Sequence, residues 1–466
     1  MERLIKIGNV KPKHSTEIKY SRIGLGFEKL DRAVFDPNKA YDRVADIGVK
    51  WIRLQSGWQR TEREKGVYNF AWLDDIVDNL LSRGLKPWMC LAYGNDLYTE
   101  AAKKVYGAAG CPPIHTAEEK EAWSRYVTEL TKHYKGKITH YEVWNEPDGI
   151  WCWKHGVNAE EYGNFVIDTA KAIRSGDSEA KVIGGVTSGN CLAYMNNMFK
   201  TGVGDYIDYF SYHMYTQNER DVFSRVFTVR GICDCYNPDI KLIQGESGSQ
   251  SRSDGHGALR RGAWTPRRQA KQLARHTMAD LMTEAEFTSY FSAMDMIEAL
   301  RGTVGDKASY LDYGYFGVLS AEFDEDGFAT GEYTPKPSYK ALQTISSVFS
   351  EEFEMCSLPL TIICRHSDRV FGEDLRRDNI LSAGFKRKDG SSAFVYWYPA
   401  DLMTTEFEST VSFQVVPMGK EIKLIDLMDG AIYKIPDSMI EDNEGAITLV
   451  NIPIKDTPLL LTFGDF

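Results

Sequence analysis

The sequence has 466 residues, of which 43% are hydrophobic, and it carries a formal net charge of -11 with a pI near 5.5. That length is too great for one hydrophobic core and predicts two domains. The negative charge disfavours nucleic acid and anionic membrane surfaces as partners. No stretch approaches the ~18 consecutive apolar residues that would predict a membrane span.

The first 20 residues start with MERLIKIGNVKPKH and lack the apolar run of a signal peptide. This favours the cytoplasm, although the possibility of a secretion signal removed by processing stays open.

The 8 cysteines are irregularly spaced in a long chain, which does not indicate a disulfide framework. We expect residues 1–20 to join a sheet of the second domain as an extra strand.

From residue 21 onward, short apolar runs alternate with segments of helical period. Two of the helical segments, Phe70–Ser82 and Glu121–Tyr134, each carry one apolar stripe. Strands that alternate with helices predict a parallel sheet, and eight of them close into a (β/α)8 TIM barrel over residues 21–350 with its site at the carboxyl ends of the strands. The eight predicted strands are Ile23–Phe27, Trp51–Gln55, Pro87–Tyr93, Tyr141–Glu146, Lys181–Val186, Tyr209–Tyr215, Leu242–Glu246 and Phe287–Met294.

The fourth predicted strand runs directly into the sequence WNEP, at residues 144–147. Because proline cannot continue a strand ladder, Glu146 is expected at the mouth of the sheet rather than inside it. A surface carboxylate after an edge strand is the alternative, so a second acid is needed to decide.

A second acid, Glu246, ends the apolar run KLIQGE. About three strand-helix repeats of roughly thirty residues fit between the two acids, which places them on strands four and seven. Two carboxyl groups are what glycoside hydrolysis needs, because one protonates the leaving oxygen and the other stabilises the oxocarbenium-like carbon. A gap of about 5 to 5.5 Å would give retention and a wider one inversion.

The two glutamate motifs resemble those of retaining glycoside hydrolases of clan A, most closely family 39, which contains β-xylosidases and α-L-iduronidases. The resemblance implies that Glu146 is the acid/base after strand four and that Glu246 is the nucleophile after strand seven. It also implies that Asn145, directly before the acid/base, binds the substrate 2-hydroxyl.

Three further residues on the predicted strands resemble positions of this clan. Arg53 interrupts an apolar strand, where an unpaired arginine is costly, and matches the arginine that keeps the nucleophile ionised. A pairing with a structural acid is the alternative. His213 and Tyr215 share one face of strand six and resemble positions near the nucleophile. Alternatively, His213 is a buried residue bonded to a backbone carbonyl and Tyr215 packs in the core.

Four aromatic residues in predicted loops after strand ends are candidates for stacking on a sugar: Trp58, Tyr93, Trp151 and Trp153. Packing onto the barrel rim is the alternative for each. Many clan A members carry a tryptophan at the end of strand eight, but this chain reads TSYFSAMD there. Tyr290, Phe291 or another loop would have to supply the platform, which puts the transfer of a family substrate in doubt.

The segment 247–257, SGSQSRSDGHG, predicts either a lid over the site or a solvated loop. Cys233 and Cys235 have no second cysteine pair or nearby histidines, so no zinc site is expected. No dinucleotide or phosphate-loop motif is present, and the sequence predicts no metal and no cofactor.

A second domain is predicted over residues 351–466, after a helix at Pro337–Ser350 whose lead-in resembles the closing helix of family 39 barrels. Short β runs separated by turn signals predict an antiparallel β-sandwich that braces the barrel, with carbohydrate binding as the alternative. The runs are Leu360–Cys364, Ser392–Tyr398, Ser409–Val416, Glu421–Leu427, Ile447–Val450 and Leu459–Phe463.

Taken together, these features predict a retaining glycoside hydrolase with a two-glutamate double-displacement mechanism, exo-acting and β-xylosidase-like, with short oligosaccharides or glycosides as substrates. The alternatives are an endo-glycanase or galactosidase of another clan A family, or a catalytically inactive carbohydrate-binding barrel. Homo-oligomerisation is left open by the sequence.

Overall fold

The computed structural model describes residues 4–364, 369–370, 373–416 and 418–466. Eight parallel strands close into a barrel in chain order, which confirms the predicted fold class. Within the described residues, no helix combines the length and the apolarity that crossing a bilayer requires. The barrel strands are Gly24–Gly26, Trp51–Gln55, Lys86–Leu91, His140–Val143, Lys181–Thr187, Tyr209–Met214, Lys241–Ser247 and Thr288–Tyr290.

Helices follow the barrel strands and cover the outside of the barrel, and their starts are set by caps that the sequence carries. The helix predicted from Glu121 begins at Ala117, because Thr116 and Glu119 form a capping box. The α-helices are Tyr41–Ala45, Trp58–Thr61, Ala71–Ser82, Ala117–His133, Ala159–Gly176, Leu192–Phe199, Arg220–Tyr236, Pro266–Leu281 and Pro337–Val348. Short 3-10 helices lie at Leu30–Arg32, Pro37–Lys39, Glu100–Lys104, Tyr106–Ala108, Val203–Asp205, Lys307–Ser309, Arg377–Asn379 and Asp437–Met439.

The barrel interior is closed at the amino-terminal ends of the strands by stacked rings. Trp51 and Phe287 stack with ring centroids 4.1 Å apart, and Trp88 packs against Phe287 edge-on. This plug leaves the carboxyl ends of the strands as the open mouth.

Two antiparallel sheets follow the barrel in the chain, as expected for a sandwich, and a buried cluster that includes Phe413, Leu449 and Leu461 lies in this region. The first sheet has the order Ile5–Asn9, Ala431–Lys434, Ile422–Asp426, Leu459–Phe463, Ser392–Trp397, Leu381–Arg387 and Phe353–Cys356. The second has the order Leu360–Ile363, Glu408–Val415, Ala446–Lys455 and Ile440–Asn443. Further two-stranded pairs are Met296–Ile297 with Tyr313–Gly314, Leu319–Phe323 with Ala329–Pro335, and Arg369–Val370 with Glu373–Asp374.

Barrel strands three, four and eight end at least two residues earlier than the sequence predicted. The fourth strand ends at Val143, and both Trp144 (φ 71°) and Glu146 (φ 41°) have left-handed backbone. Such conformations are unfavourable for residues with a side chain and persist only where the surroundings hold them. The turn they form takes Glu146 out of the ladder and into the mouth.

Candidate active site

A cleft of about 500 Å³ opens at the carboxyl ends of the barrel strands. The two acids singled out from the sequence both line it, and each is only 9% exposed. Strands six and seven bring His213 into register with Glu246. Gly245 permits this approach, since a Cβ atom there would lie 2.1 Å from the hydroxyl of Ser211.

Glu246 accepts two hydrogen bonds, one on each carboxylate oxygen. Arg53 donates from Nη1 to Oε2 at 2.7 Å, and Tyr215 donates its hydroxyl to Oε1 at 2.5 Å. A guanidinium and a phenol donor both favour the charged form of a carboxylate. The surroundings of Glu246 therefore suit an anion.

Glu146 lies in different surroundings, with no arginine in direct contact among the described residues. Its Oε2 accepts a hydrogen bond from Nε1 of Trp151, and its Oε1 is 2.9 Å from Nδ1 of His213. Burial raises the pKa of Glu146 to about 7, and the hydrogen bond from Trp151 opposes that rise. Burial also lowers the pKa of His213, so the imidazole beside Glu146 is held neutral. Glu146 is therefore suited to hold a proton near neutral pH.

The two carboxyl groups face each other across a short gap. One carboxylate oxygen of Glu146 and one of Glu246 lie within 4.8 Å of each other, and Nδ1 of His213 is 3.8 Å from Glu246. A pair this close, with one member suited to hold a proton and the other a charge, can perform acid-nucleophile chemistry on one bond.

Arg53 organises the floor of the cleft and is itself fully buried. Its Nε and Nη2 donate to one oxygen of Glu142 at 2.8 and 2.6 Å, and Nη2 also donates to Asn145 Oδ1 at 2.8 Å. Arg53 therefore contacts Glu246, the second acid of the sequence analysis. It also contacts Glu142, a buried acid of the kind that the alternative of a structural ion pair requires. The sequence analysis missed Glu142. The signal that could have revealed it was a charged residue inside an otherwise apolar strand.

Glu28 and Glu298 are two further acids at the cleft that sequence reasoning missed. Glu28 follows the first barrel strand, its Oε1 is 3.5 Å from Arg53 Nη1, and its Oε2 has no hydrogen-bond partner among the described residues. Burial raises its pKa to about 8. Glu298 lies 3.5 Å from Lys29 Nζ, and burial raises its pKa as well. Buried carboxyl oxygens that line a cleft without a partner are suited to accept hydroxyl groups of a ligand.

The sequence model of the family described as "Glycosyl hydrolases family 39" matches residues 38–231, which include barrel strands two to six and Glu146. A β-xylosidase of Caldicellulosiruptor saccharolyticus is 29% identical over 188 residues. That match covers 36% of this chain and 37% of the relative, so the chain spans about a third of the curated relative's length.

Solved structures extend the likeness over nearly the whole chain. A family 39 glycoside hydrolase from Bacteroides cellulosilyticus WH2 superposes with a TM-score of 0.66 at 16% identity, covering 95% of this chain and 80% of that one. A monomeric β-xylosidase from Caulobacter crescentus CB15 gives 0.61 at 14% identity, with 98% and 97% covered. At such identities these two structures show the shared fold. Residues 38–231 thus match family 39 in sequence, and nearly the whole chain shares the fold of a family 39 structure.

Two of the four aromatic candidates do not lie at the cleft of this barrel, which corrects their prediction as a sugar platform. Trp58 and Trp153 are fully buried and are not among the residues that line the cleft. Trp58 stacks between Tyr98 and Tyr126 and donates to Glu62 at 2.6 Å. Trp153 packs edge-on against Trp144. Both rings fill the core behind the loops, because removing a large aromatic side chain from water is strongly favourable.

The other two candidates, Tyr93 and Trp151, do line the cleft. Trp151 is 39% exposed, while Tyr93 is largely buried with its hydroxyl 3.6 Å from Cys152 Sγ. At the end of strand eight, where clan A members often carry tryptophan, Phe291 and Phe316 line the cleft and contact each other edge-on. Tyr290 is instead buried, and its hydroxyl accepts a hydrogen bond from the backbone N–H of Ser249.

A metal ion is a second use to consider for the central residues of this site. Glu146, His213 and Glu246 each offer one ligand atom within 4.8 Å of the others. However, Glu246 already accepts from Arg53 and Tyr215, and a buried guanidinium beside it disfavours a divalent cation. The three residues are better matched to proton transfer than to metal binding.

Proposed function

We propose that this protein is a retaining O-glycoside hydrolase in which Glu246 is the nucleophile and Glu146 the acid/base. The proposal rests on one observation, two buried carboxyl groups whose nearest oxygens lie within 4.8 Å in unlike surroundings. Retaining glycosidases hold their carboxyl groups about 5 to 5.5 Å apart, whereas inverting ones leave about 6.5 to 9.5 Å for a water molecule. The short gap here favours direct attack.

The proposed reaction has two steps. In the first, an oxygen of Glu246 bonds to the anomeric carbon, the glycosidic bond breaks, and the proton of Glu146 passes to the leaving oxygen. In the second, Glu146 takes a proton from water, the water oxygen bonds to the anomeric carbon, and the Glu246 ester bond breaks. Two displacements at the same carbon return the original anomeric configuration.

The neighbours of the two glutamates have proposed supporting roles. Among the described residues, Asn145 donates its amide only to Cys152 Sγ, at 3.4 Å, so this weakly held donor is suited to a substrate 2-hydroxyl. Tyr215 and Arg53 orient Glu246, and His213 orients Glu146. Glu28 and Glu298 are proposed to accept hydroxyl groups of the bound sugar.

For the substrate, we propose a short oligosaccharide or glycoside that is cleaved from its end in a β-xylosidase-like reaction. The similar proteins named β-xylosidase support the sugar class. Trp151 and the loop at residues 256–261 bound the cleft, and its volume of about 500 Å³ fits a small ligand better than a polymer groove.

We further propose that residues 21–350 form the catalytic unit and that residues 351–466, joined by residues 1–20, brace it. The strand Ile5–Asn9 pairs with Ala431–Lys434, and Lys271 of the helix Pro266–Leu281 contacts Asp456 at 2.6 Å in a buried ion pair. Both contacts support this division of labour.

The test is a panel of nitrophenyl glycosides given to the wild type and to Glu246→Ala. We expect turnover of a β-xyloside by the wild type and none by the variant. Azide should restore activity to the variant and give a product of inverted configuration, because a small anion can occupy the vacated position. Normal activity of Glu246→Ala would refute the role of Glu246.

The outcomes also separate the other functions considered. Mid-length products from labelled oligosaccharides would indicate an endo-glycanase, and preferred turnover of a galactoside would indicate a galactosidase. Binding of sugars without cleavage of any glycoside in the panel would indicate an inactive barrel.

A further inference from the structure

Three arginines at the mouth of the cleft have no assigned role in the proposed reaction. Arg260, Arg261 and Arg301, called here the rim arginines, all line the cleft and are exposed. Arg260 donates one long hydrogen bond of 3.5 Å to the carbonyl of Gly257. In the described part of the chain, none of the three has a carboxylate within ion-pair distance.

The acids that line the same cleft do not balance these charges. Glu246 is paired with Arg53 and Glu298 with Lys29, which leaves the one formal negative charge of Asp312 against the three positive charges of the rim arginines. Burial holds the pKa of Glu146 at about 7 and that of Glu28 at about 8, so both are largely neutral in mildly acidic solution. The mouth is therefore locally positive in a protein whose formal net charge is -11.

The loops that carry the rim arginines are fastened to the barrel. The buried amide of Gln250 donates to the carbonyls of His256 and Ala258 at 2.5 and 3.2 Å. Trp264 donates to the carbonyl of Leu259 at 2.8 Å. On the other side, Lys154 donates to the carbonyl of Leu300 at 2.8 Å. These bonds fix the backbone from which the guanidinium groups extend.

The depth of the site decides which part of a substrate could meet these groups. The sugar ring that is cleaved must reach Glu146 and Glu246 on the buried floor, whereas the rim arginines are at the exposed mouth. A group bound by them therefore lies outside the reacting ring. Guanidinium groups bind carboxylates and phosphates in a planar, two-pronged geometry, and positive charge at a cleft mouth also speeds the arrival of anions.

We propose that the rim arginines bind an anionic group, a carboxylate or a phosphate, carried by the part of the glycoside outside the cleaved ring. This inference rests on the proposed function and deepens it, since it makes the substrate an acidic glycoside. A uronic acid would supply the carboxylate, and a sugar phosphate would supply the phosphate.

The test uses three xylosyl disaccharides that differ only in the second sugar: glucose, glucuronic acid or glucose 6-phosphate. Sulfur-linked forms, which are not hydrolysed, are titrated against the protein by calorimetry. We expect one or both acidic forms to bind about tenfold more tightly than the glucose form at low salt. The preference should shrink in about 0.5 M NaCl, because salt screens exposed charges. The two acidic forms distinguish a uronic acid from a sugar phosphate.

In the variant Arg260→Gln/Arg261→Gln/Arg301→Gln, the preference should disappear while the affinity for the glucose form stays within about twofold. Circular dichroism checks that the variant folds.

A control variant, Arg125→Gln/Arg376→Gln/Arg377→Gln, removes the same charge from exposed positions that do not line the cleft. It should keep the preference. Equal affinities for all three compounds, failure of all three to bind, or equal loss in both variants would overturn the inference. Cleavage of the oxygen-linked glucose form, measured separately, reports on the proposed function alone.

Discussion

Two buried arginines, one on a barrel strand and one on a helix, show how a structural ion pair differs from one at a candidate active site. Arg275 lies where the helix Pro266–Leu281 meets the sandwich and forms a two-pronged pair with Glu219, at 2.9 and 2.7 Å. Its third nitrogen donates to the carbonyl of Ala400, and Trp397 donates to the same glutamate. Charge is balanced one to one, and both oxygens of Glu219 are bonded.

Arg53 is shared by more acids than it can neutralise. It contacts Glu142, Glu246 and Glu28, and three buried atoms around it lack hydrogen-bond partners among the described residues: Glu28 Oε2, Glu142 Oε1 and His213 Nε2. Unpaired buried polar groups cost stability. Proteins retain unpaired buried polar groups mainly where those groups bind or react with a ligand. The charge imbalance at Arg53 therefore indicates a functional role, and the balance at Arg275 indicates a structural one.

The largest expected effect comes from Arg53→Met. The change leaves Glu246 without its cation and Glu142 as an uncompensated buried charge. We expect kcat/KM to fall by roughly 10² to 10³-fold or more, as for the loss of other preorganised donors. Stability should fall as well, by about 3 to 5 kcal/mol. Steady-state kinetics on protein shown to be folded by circular dichroism checks the first effect. Unchanged kinetics would place Arg53 outside the reaction.

Arg275→Met is the matched change in the structural pair. It leaves Glu219 buried and unpaired, so urea unfolding should show a loss of about 3 to 5 kcal/mol. The value of kcat/KM per folded molecule should stay within about twofold of the wild type. A large loss of activity without a loss of stability would contradict the distinction between the two arginines.

A smaller effect is expected from Trp151→Phe, which removes the hydrogen bond that lowers the pKa of Glu146 from the value that burial alone would give. In the wild type the proton-donating form is present below about pH 7 and is lost as the pH rises through that value. The basic limb of the profile of kcat/KM against pH should therefore lie near 7, and the variant should move it upward by roughly half a unit to one unit. A downward or absent shift would show that Trp151 does not act on Glu146.

The barrel could be predicted from the sequence because its strands are mainly apolar runs, each followed by polar residues or turn residues. Glu146 and Glu246 could be found because they stand at such exits, and the spacing between them matched the strand count. Strands such as Leu381–Arg387 and Ile440–Asn443 were missed, because edge or half-exposed strands with glycine and charged residues lack a clear period.

The aromatic platform could only be predicted in part for a different reason. Trp58 and Trp151 both follow strand exits in sequence, yet one is fully buried and the other lines the cleft. The difference depends on the long-range partners of Trp58, namely Tyr98 and Tyr126, which no local pattern reveals. Likewise, the proximity of Glu28 and Glu142 to Arg53 depends on how the barrel closes.

The central claim, that Glu246 and Glu146 act together by double displacement, is tested most directly by the configuration of the first product. Proton NMR of a β-xyloside digest, recorded before the free sugar interconverts, distinguishes the two anomers. The short gap between the carboxyl groups predicts that the β anomer forms first, with its configuration retained. Initial release of the α anomer would contradict the account, because it would require a water molecule where Glu246 is proposed to attack.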